Sequence, residues 1–311
     1  MEMRSVERVK SSKKKYSLYE KQEHRQGYLF LTPAIVVLSI FIGISVLFVI
    51  YLSFHKVNLF TRTYEFVGLK NYARVFQDDI ARIGLKNTLM FSVIVVPIQT
   101  ALALIISAVL NSKIKGKYFF RTVYFLPTLT SSSALTMIFM FMFSVTGPIN
   151  GMLLKLNLID QGINFLQEPQ FALKVIMVMN IWSTIPMYTT MYLASLQDLP
   201  ASMYEAADID GAGPLKTFWY ITIPYLKPLT TYVLLTGIIG TLQMFDQAYI
   251  FSNGSGGPEN STLTVSLMVY RYAFGTQNAM GYAATLALIL AVIIMIISRI
   301  AEKLNGEERV Y

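Results

Sequence analysis

The 311-residue sequence has no cysteine, only two histidines, and few charges: Lys, Arg, Asp and Glu make up 14% of it. Without cysteine there is neither a disulfide framework nor thiolate chemistry. His24 and His55 both lie outside the long apolar runs, which excludes a histidine metal site or a nucleophile–histidine pair within those runs. A soluble domain carries roughly a quarter charged residues. With 14% charged and 54% hydrophobic residues, this chain cannot clothe a water-facing surface. A lipid-facing surface removes the deficit, because in a bilayer backbone polar groups are satisfied inside helices and the outside is free to be apolar. No G-x4-G-K-[S/T] phosphate loop occurs, so nucleotide hydrolysis is not this chain's own chemistry.

What is present is a series of long apolar runs. A membrane-spanning helix needs about 20 mostly apolar residues, and six segments qualify: 28–52, 86–110, 119–143, 171–194, 229–251 and 280–300. None alternates with the period of two of a β-barrel strand, so the expected fold is an all-α polytopic membrane protein with six transmembrane helices. Asn180, Ser183, Thr184 and Pro186 interrupt the fourth run, whereas the fifth and sixth are clean. The first run follows Lys13-Lys14-Lys15. It exceeds a signal core in length and no small-x-small cleavage site follows, so it reads as a retained span. The expected organisation is a basic cytoplasmic tail (1–26), a first helix with its external loop (27–85), a core (86–300) containing a polar loop at 198–228, and a C-terminal tail (301–311).

Positive charge sets the orientation. Seventeen Lys and Arg fall in the N-terminal tail, the 111–121 loop (Lys113, Lys115, Lys117, Arg121), the 195–228 loop and the end from Arg299 onward. The alternate loops, 53–85, 144–170 and 252–279, hold seven. This places both termini and the 195–228 loop in the cytoplasm, with a short amphipathic helix expected outside around Asn71–Phe76. The net charge of +8 follows this flanking pattern and forms no aromatic-interleaved groove, which argues against nucleic acid. The runs lack the chains of Asp, Glu, Arg or His that ion-coupled carriers use, and no internal repeat suggests an inverted-repeat carrier. Asp246 is the one carboxylate deep enough to matter.

The loop between the fourth and fifth runs has its own grammar. Asp198-Leu199-Pro200 reads as a helix start, with a cap residue followed by Pro where a missing N–H costs nothing. Ala201 to Asp208 are good helix formers, and Ala206 and Ala207 give a slim face. Gly211 suits the left-handed residue that ends a helix. Gly213-Pro214 turns the chain into a second short helix, Leu215 to Tyr220, and Pro224 and Pro228 bend it back. Glu205, Asp208 and Asp210 form an acidic face suited to a basic partner, with Met203 and Tyr204 for apolar contact.

Glu205-Ala206-Ala207, Gly211 and Ile221-Thr222-Ile223-Pro224 match, with one Ile for Leu, the E-A-A-x3-G-x9-I-x-L-P signature of bacterial ABC-importer permeases. Further motifs extend the match over about 60–300: Phe66-Val67-Gly68-Leu69-Lys70-Asn71-Tyr72, Lys86-Asn87-Thr88-Leu89, Arg121 to Pro127, Gln243-Met244-Phe245-Asp246, Gly256-Gly257-Pro258, Ala273-Phe274 and Gly281-Tyr282-Ala283-Ala284. The chain resembles the first of the two permease subunits of the maltose and oligosaccharide importers. The resemblance implies the type I importer permease fold with both termini inside, in a bacterial inner membrane. It implies as partners a second homologous permease, two ATPase subunits that hold ATP and Mg, and an extracellular solute-binding protein. No cofactor is implied in this chain.

Glu205, Ala206, Ala207, Asp210 and Gly211 would then couple the pore to the ATPase. In similar permeases the sugar lies partway through the membrane on the helices flanking this loop. Counting from Glu205, the corresponding residues are Asn180, Ser183, Thr184 and Met187 before it and Gly237, Thr241 and Met244 after it. Asn180 either contacts sugar or glues helices together. Trp182 and Tyr188 either stack on a sugar ring or pack. Gln243 and Asp246 either line the pore near its outer end or, for Asp246, brace the loop that follows. Pro97, Pro127 and Pro186 fall inside runs and read as kinks. The large external insertion of the maltose subunit is missing, so contacts tied to it are not carried over. The expected function is inward passage of an oligosaccharide or related glycoside by alternating access, with no bond chemistry. The competing readings are a permease for a glycerol-phosphate-type substrate, an ion-coupled secondary carrier and a membrane transferase.

Overall fold

The computed structural model describes residues 18–58, 63–112, 119, 122, 124–275 and 279–305. Most of the expected basic tail, Lys113, Lys115, Lys117, Arg121 and the last six residues lie outside the described residues. The chain divides into two units, Met1–Tyr51 and Leu52–Tyr311.

The first unit consists, where described, of an apolar helix, α1, which runs over Gln22–Ser53 and so ends two residues into the second unit. It contains Pro33 and a π-helical stretch at Ser39–Ile44. Two of its hydroxyls bond to their own helix: Thr32 Oγ1 and Ser45 Oγ each donate at 2.7 Å to the carbonyl four residues back.

In the second unit an antiparallel hairpin, β1 (His55–Asn58) and β2 (Thr63–Phe66), pairs Lys56 with Glu65 and Val57 with Tyr64. Helix α2 (Lys70–Gln77) follows, then the 33-residue α3 (Asp79–Asn111). Asp78 caps α3, its Oδ1 accepting from the Ile80 amide at 2.9 Å. A 3-10 turn at Leu126–Leu129 precedes α4 (Ser132–Met142), and α5 (Pro148–Lys155) leads to α6 (Pro169–Gln197). Helix α7 (Ala201–Ile209) is joined by short helical turns over 214–225 to α8 (Lys227–Leu242), α9 (Asp246–Ser252), α10 (Val265–Phe274) and α11 (Met280–Asn305).

Helix α3 packs along α6 and against α8, while α11 packs on α10, α8 and α2. Their shared core includes Phe91, Val95, Ile176, Met179, Leu242, Leu267 and Met268. In lipid, close packing rather than water exclusion holds such helices together, and small residues allow the approach. Gly281 illustrates this: a Cβ there would run into the carbonyl oxygen of His55, so α11 can meet the backbone at the start of the hairpin only through glycine.

Several sequence motifs prove to be pins. Asn71 Nδ2 donates to the Ser53 and His55 carbonyls at 2.9 and 3.0 Å, and Tyr72 Oη lies 2.9 Å from Ser53 Oγ. Asn87 Nδ2 donates to the carbonyls of Asn260 and Leu263 at 2.9 and 3.0 Å, and the Val265 amide donates to Thr88 Oγ1 at 3.0 Å. Tyr282 Oη donates to Asp78 Oδ2 at 2.7 Å, with the Arg74 guanidinium 4.2 Å above its ring centroid.

Among the described residues, five helical stretches are long and apolar enough to cross a membrane: Gln22–Ser53, Asp79–Asn111, Pro169–Gln197, Lys227–Ser252 and Met280–Asn305. The expected third span, 119–143, departs from a single helix. Between Leu126 and Ser131 the chain makes a 3-10 turn and a break, and α4 holds only 11 residues. Pro127 has no N–H to give a helix. Around it hydroxyls bond locally, Thr128 Oγ1 to the Phe125 carbonyl at 2.7 Å and Ser131 Oγ to the Ala134 amide at 3.3 Å. The fifth run is not clean either, because helix stops at Gln243–Phe245. The all-α expectation also missed the hairpin at 55–66. The amphipathic helix expected around 71–76 is α2, and Pro97 and Pro186 lie inside α3 and α6.

Candidate functional site

Two places carry the residues singled out by the sequence. The first is α7. Pro200, in extended geometry with ψ 128°, occupies its N-cap. Asp198 instead closes α6 in a helical conformation, so the cap expected at Asp198 is not made. The far end follows a Schellman pattern: the Ala212 amide donates to the Ala207 carbonyl at 2.9 Å and the Gly211 amide to the Asp208 carbonyl at 3.1 Å. Gly211 sits at φ +67°, a conformation that costs a side-chain-bearing residue about 1 kcal/mol or more. The interval from the Glu205-Ala206-Ala207 triplet to Gly211 is therefore, in part, the geometry of a helix stop.

Ala207 is buried, while Glu205, Ala206, Asp208, Asp210 and Gly211 are exposed, as is Ile209 at 86%. No ion pair engages Glu205, Asp208 or Asp210 among the described residues. The helix thus presents three carboxylates and an apolar side chain outward. Behind it, Tyr204, Asp208, Ala212 and Thr217 share a cleft with Ala108, Asn111 and Ser112 at the end of α3.

The second place is a cleft of about 590 Å³ lined by Pro127, Thr128, Thr130 and Ser132 on one side and Ser183, Thr184, Met187 and Thr190 of α6 on the other, with Gln247 of α9. Among the described residues, no charged side chain lines it. The break around Pro127 provides one wall. Of the sequence-selected residues, Ser183, Thr184 and Met187 meet here. Asn180 is 9% exposed and its Nδ2 donates to Gln247 Oε1 at 3.1 Å. The Thr184 hydroxyl donates to Gln99 Oε1 at 2.7 Å.

Gly237, Thr241 and Met244 are placed elsewhere: all three are buried between helices. A Cβ on Gly237 would meet Gln99 Nε2 at 2.7 Å, Thr241 Oγ1 donates to Ser92 Oγ at 2.8 Å, and the Met244 carbonyl accepts from Thr264 Oγ1 at 2.9 Å. Trp182 packs on Phe139 with ring centroids 5.6 Å apart, and Tyr188 is buried in a cluster with Tyr192 and Leu226. Gln243 and Asp246 are exposed at the break between α8 and α9. Asp246 stands in the first turn of α9, where the helix dipole favours a carboxylate. Sequence reasoning passed over Gln99 and Gln247. A glutamine in the middle of the apolar 86–110 run was the available signal for the first, since polar groups at such depth face a bundle interior. For the second there was none, because it meets Asn180 only across two helices.

A polytopic helical chain whose main polar excursion is an exposed acidic helix is built as the membrane part of a larger assembly. Residues 99–306 match the family described as the inner membrane component of binding-protein-dependent transport systems, and the chain belongs to this family. It is a transport subunit, not an enzyme. It is 37% identical over 273 residues to the lactose transport system permease protein of Rhizobium radiobacter, covering 88% of this chain and 91% of that one. It is 33% identical over 284 residues to the arabinooligosaccharides transport system permease protein of Bacillus subtilis, covering 90% and 88%. The trehalose/maltose transport system permease protein of Thermococcus litoralis is 34% identical over 264 residues, covering 84% and 86%. Among solved structures, a chain of a bacterial ABC transporter that imports the acidic polysaccharide alginate superposes with a TM-score of 0.74 at 20% identity, covering 94% of this chain and 98% of that one, a likeness of fold.

Proposed function

We propose that this chain is one of two homologous permeases forming the pore of a bacterial inner-membrane ABC importer, and that it passes an oligosaccharide or related glycoside inward by alternating access. Two ATPase subunits carry ATP and Mg, and an extracellular solute-binding protein delivers the sugar. The chain crosses the membrane six times with both termini inside, the third crossing being the broken segment around Pro127 and α4. Helix α7 docks on the ATPase through Glu205 and its neighbours, and sugar passes the cleft walled by Ser183, Thr184 and Met187, with Asn180 behind.

The observation that carries this reading is α7 itself: a short helix stopped by Gly211 and presenting carboxylates that make no ion pair among the described residues. Such an element transmits rigid-body motion to a partner that grips it. The uncharged lining of the cleft favours neutral sugar over a phosphorylated substrate, for which a basic group would be needed. Relatives named for lactose, arabinooligosaccharides and trehalose or maltose supply the sugars to try.

The test is ATPase activity of the complex in lipid vesicles, with its binding protein loaded in turn with lactose, maltose, trehalose and arabinotriose. One of these is expected to stimulate hydrolysis in the wild type. Stimulation should fall at least tenfold in Glu205→Ala while the complex still assembles. Retained stimulation in that variant would remove the coupling role from Glu205.

A further inference from the structure

Gln247 lines the cleft from α9 and accepts a hydrogen bond from Asn180 Nδ2 at 3.1 Å. Asn180 is 9% exposed and its Oδ1 has no partner among the described residues. One turn along α6, Thr184 lines the same cleft and donates to Gln99 Oε1 at 2.7 Å. Gln99 is 1% exposed, and its Nε2 has no partner either. Two buried amides thus each keep one hydrogen-bonding group without a partner: Asn180 Oδ1, next to the Gln247 that lines the cleft, and Gln99 Nε2, which faces Gly237 of α8. Such groups are costly where they stand. A hydroxyl, which both donates and accepts, can answer an amide acceptor and an amide donor alike.

Helix stops at Gln243–Phe245 and resumes at Asp246, so the position of Gln247 is set by α9, whose Ala248 and Phe251 are buried in the core, and not by α8.

We propose that Gln247 is a specificity-determining residue of the transport site. Its amide holds Asn180 while the cleft is empty and exchanges that bond for a hydroxyl of the arriving sugar, presenting a donor and an acceptor side by side to neighbouring hydroxyls. Gln99 acts behind it as a positioning residue, fixing the Thr184 hydroxyl. This rests on the importer reading above.

The test measures uptake in vesicles carrying the whole complex. The probes are whichever sugar of the lactose, maltose, trehalose and arabinotriose panel drives the wild type, and an analogue of it lacking one hydroxyl. Gln247→Leu is expected to raise the KM for uptake about five- to tenfold, the effect of one uncharged hydrogen bond, with the maximal rate within about twofold of wild type. Its preference for the sugar over the deoxy analogue should shrink by a similar factor. The pairing with Asn180 predicts that Asn180→Leu/Gln247→Leu raises KM little beyond the larger single change. If Gln247→Leu does not assemble, Gln247→Met, of similar length but without the amide, is measured in its place with the same expectation. An unchanged KM and an unchanged sugar preference would overturn the role of Gln247 while leaving the importer reading intact. A wild-type complex driven by no sugar of the panel would overturn both.

Discussion

Asn87 shows how much one side chain can hold in a membrane protein. Its amide reaches from α3 to two carbonyls, those of Asn260 and Leu263, and Thr88 beside it receives the Val265 amide. Replacing Asn87 with Ala removes both bonds; the Asn260 carbonyl keeps the Leu263 amide at 3.1 Å, but the buried Leu263 carbonyl loses its donor, at a cost of about 2 kcal/mol. Thermal unfolding of the purified protein in detergent should show a clearly lower midpoint for Asn87→Ala. An unchanged midpoint would show that the loop holds itself. Gly281 is stricter. Any side chain there meets the His55 carbonyl, so Gly281→Val should fail to yield folded protein in the membrane fraction. Both residues stood out in the sequence only as letters of a motif, because the partner of Asn87 lies 173 residues away and no local pattern records it. The same blindness hid Gln247, whose meaning depends on a residue of another helix, while Ser183, Thr184 and Met187 were named by counting back from Glu205 along the family resemblance, with helical spacing putting them on one face.

At the level of the element, α7 was the most legible part of the chain. Its helix formers, its glycine stop and its acidic face are all local, and local physics settles them. Only its start was misread, since Asp198 belongs to α6 and Pro200 takes the cap. Gly211 at φ +67° makes a quantitative test possible. Gly211→Ala should weaken the helix stop by about 1 kcal/mol, and Gly211→Asn by less, because Asn tolerates the left-handed region. The measured order of ATPase co-purification is therefore expected to run wild type, Asn, Ala. An order with Ala equal to wild type would detach the glycine from docking. The 119–143 segment was the least legible. Hydropathy counts apolar side chains and is indifferent to a missing backbone donor, so Pro127 and the hydroxyls near it broke what the count had joined.

For the whole molecule, the absence of cysteine makes the proposed topology directly measurable. Ser202 in α7 and Lys155 in α5 are both exposed. A cysteine placed by Ser202→Cys should react with an impermeant maleimide only after the membrane is opened, and one placed by Lys155→Cys should react in intact cells. Labelling of both positions from outside would overturn the arrangement with both termini inside. Helix α3 then acquires a further meaning. Near its start Asn87 and Thr88 grip the 260–265 segment, and at its end Ala108, Asn111 and Ser112 wall the cleft shared with Tyr204 and Asp208. Its 33 residues make a rod about 50 Å long. In the proposed importer, a load set down on that segment would reach the threshold of α7 through one covalent strut, and a push from α7 would travel back along the same strut, so a signal of arrival and a stroke of power would share a single piece of hardware.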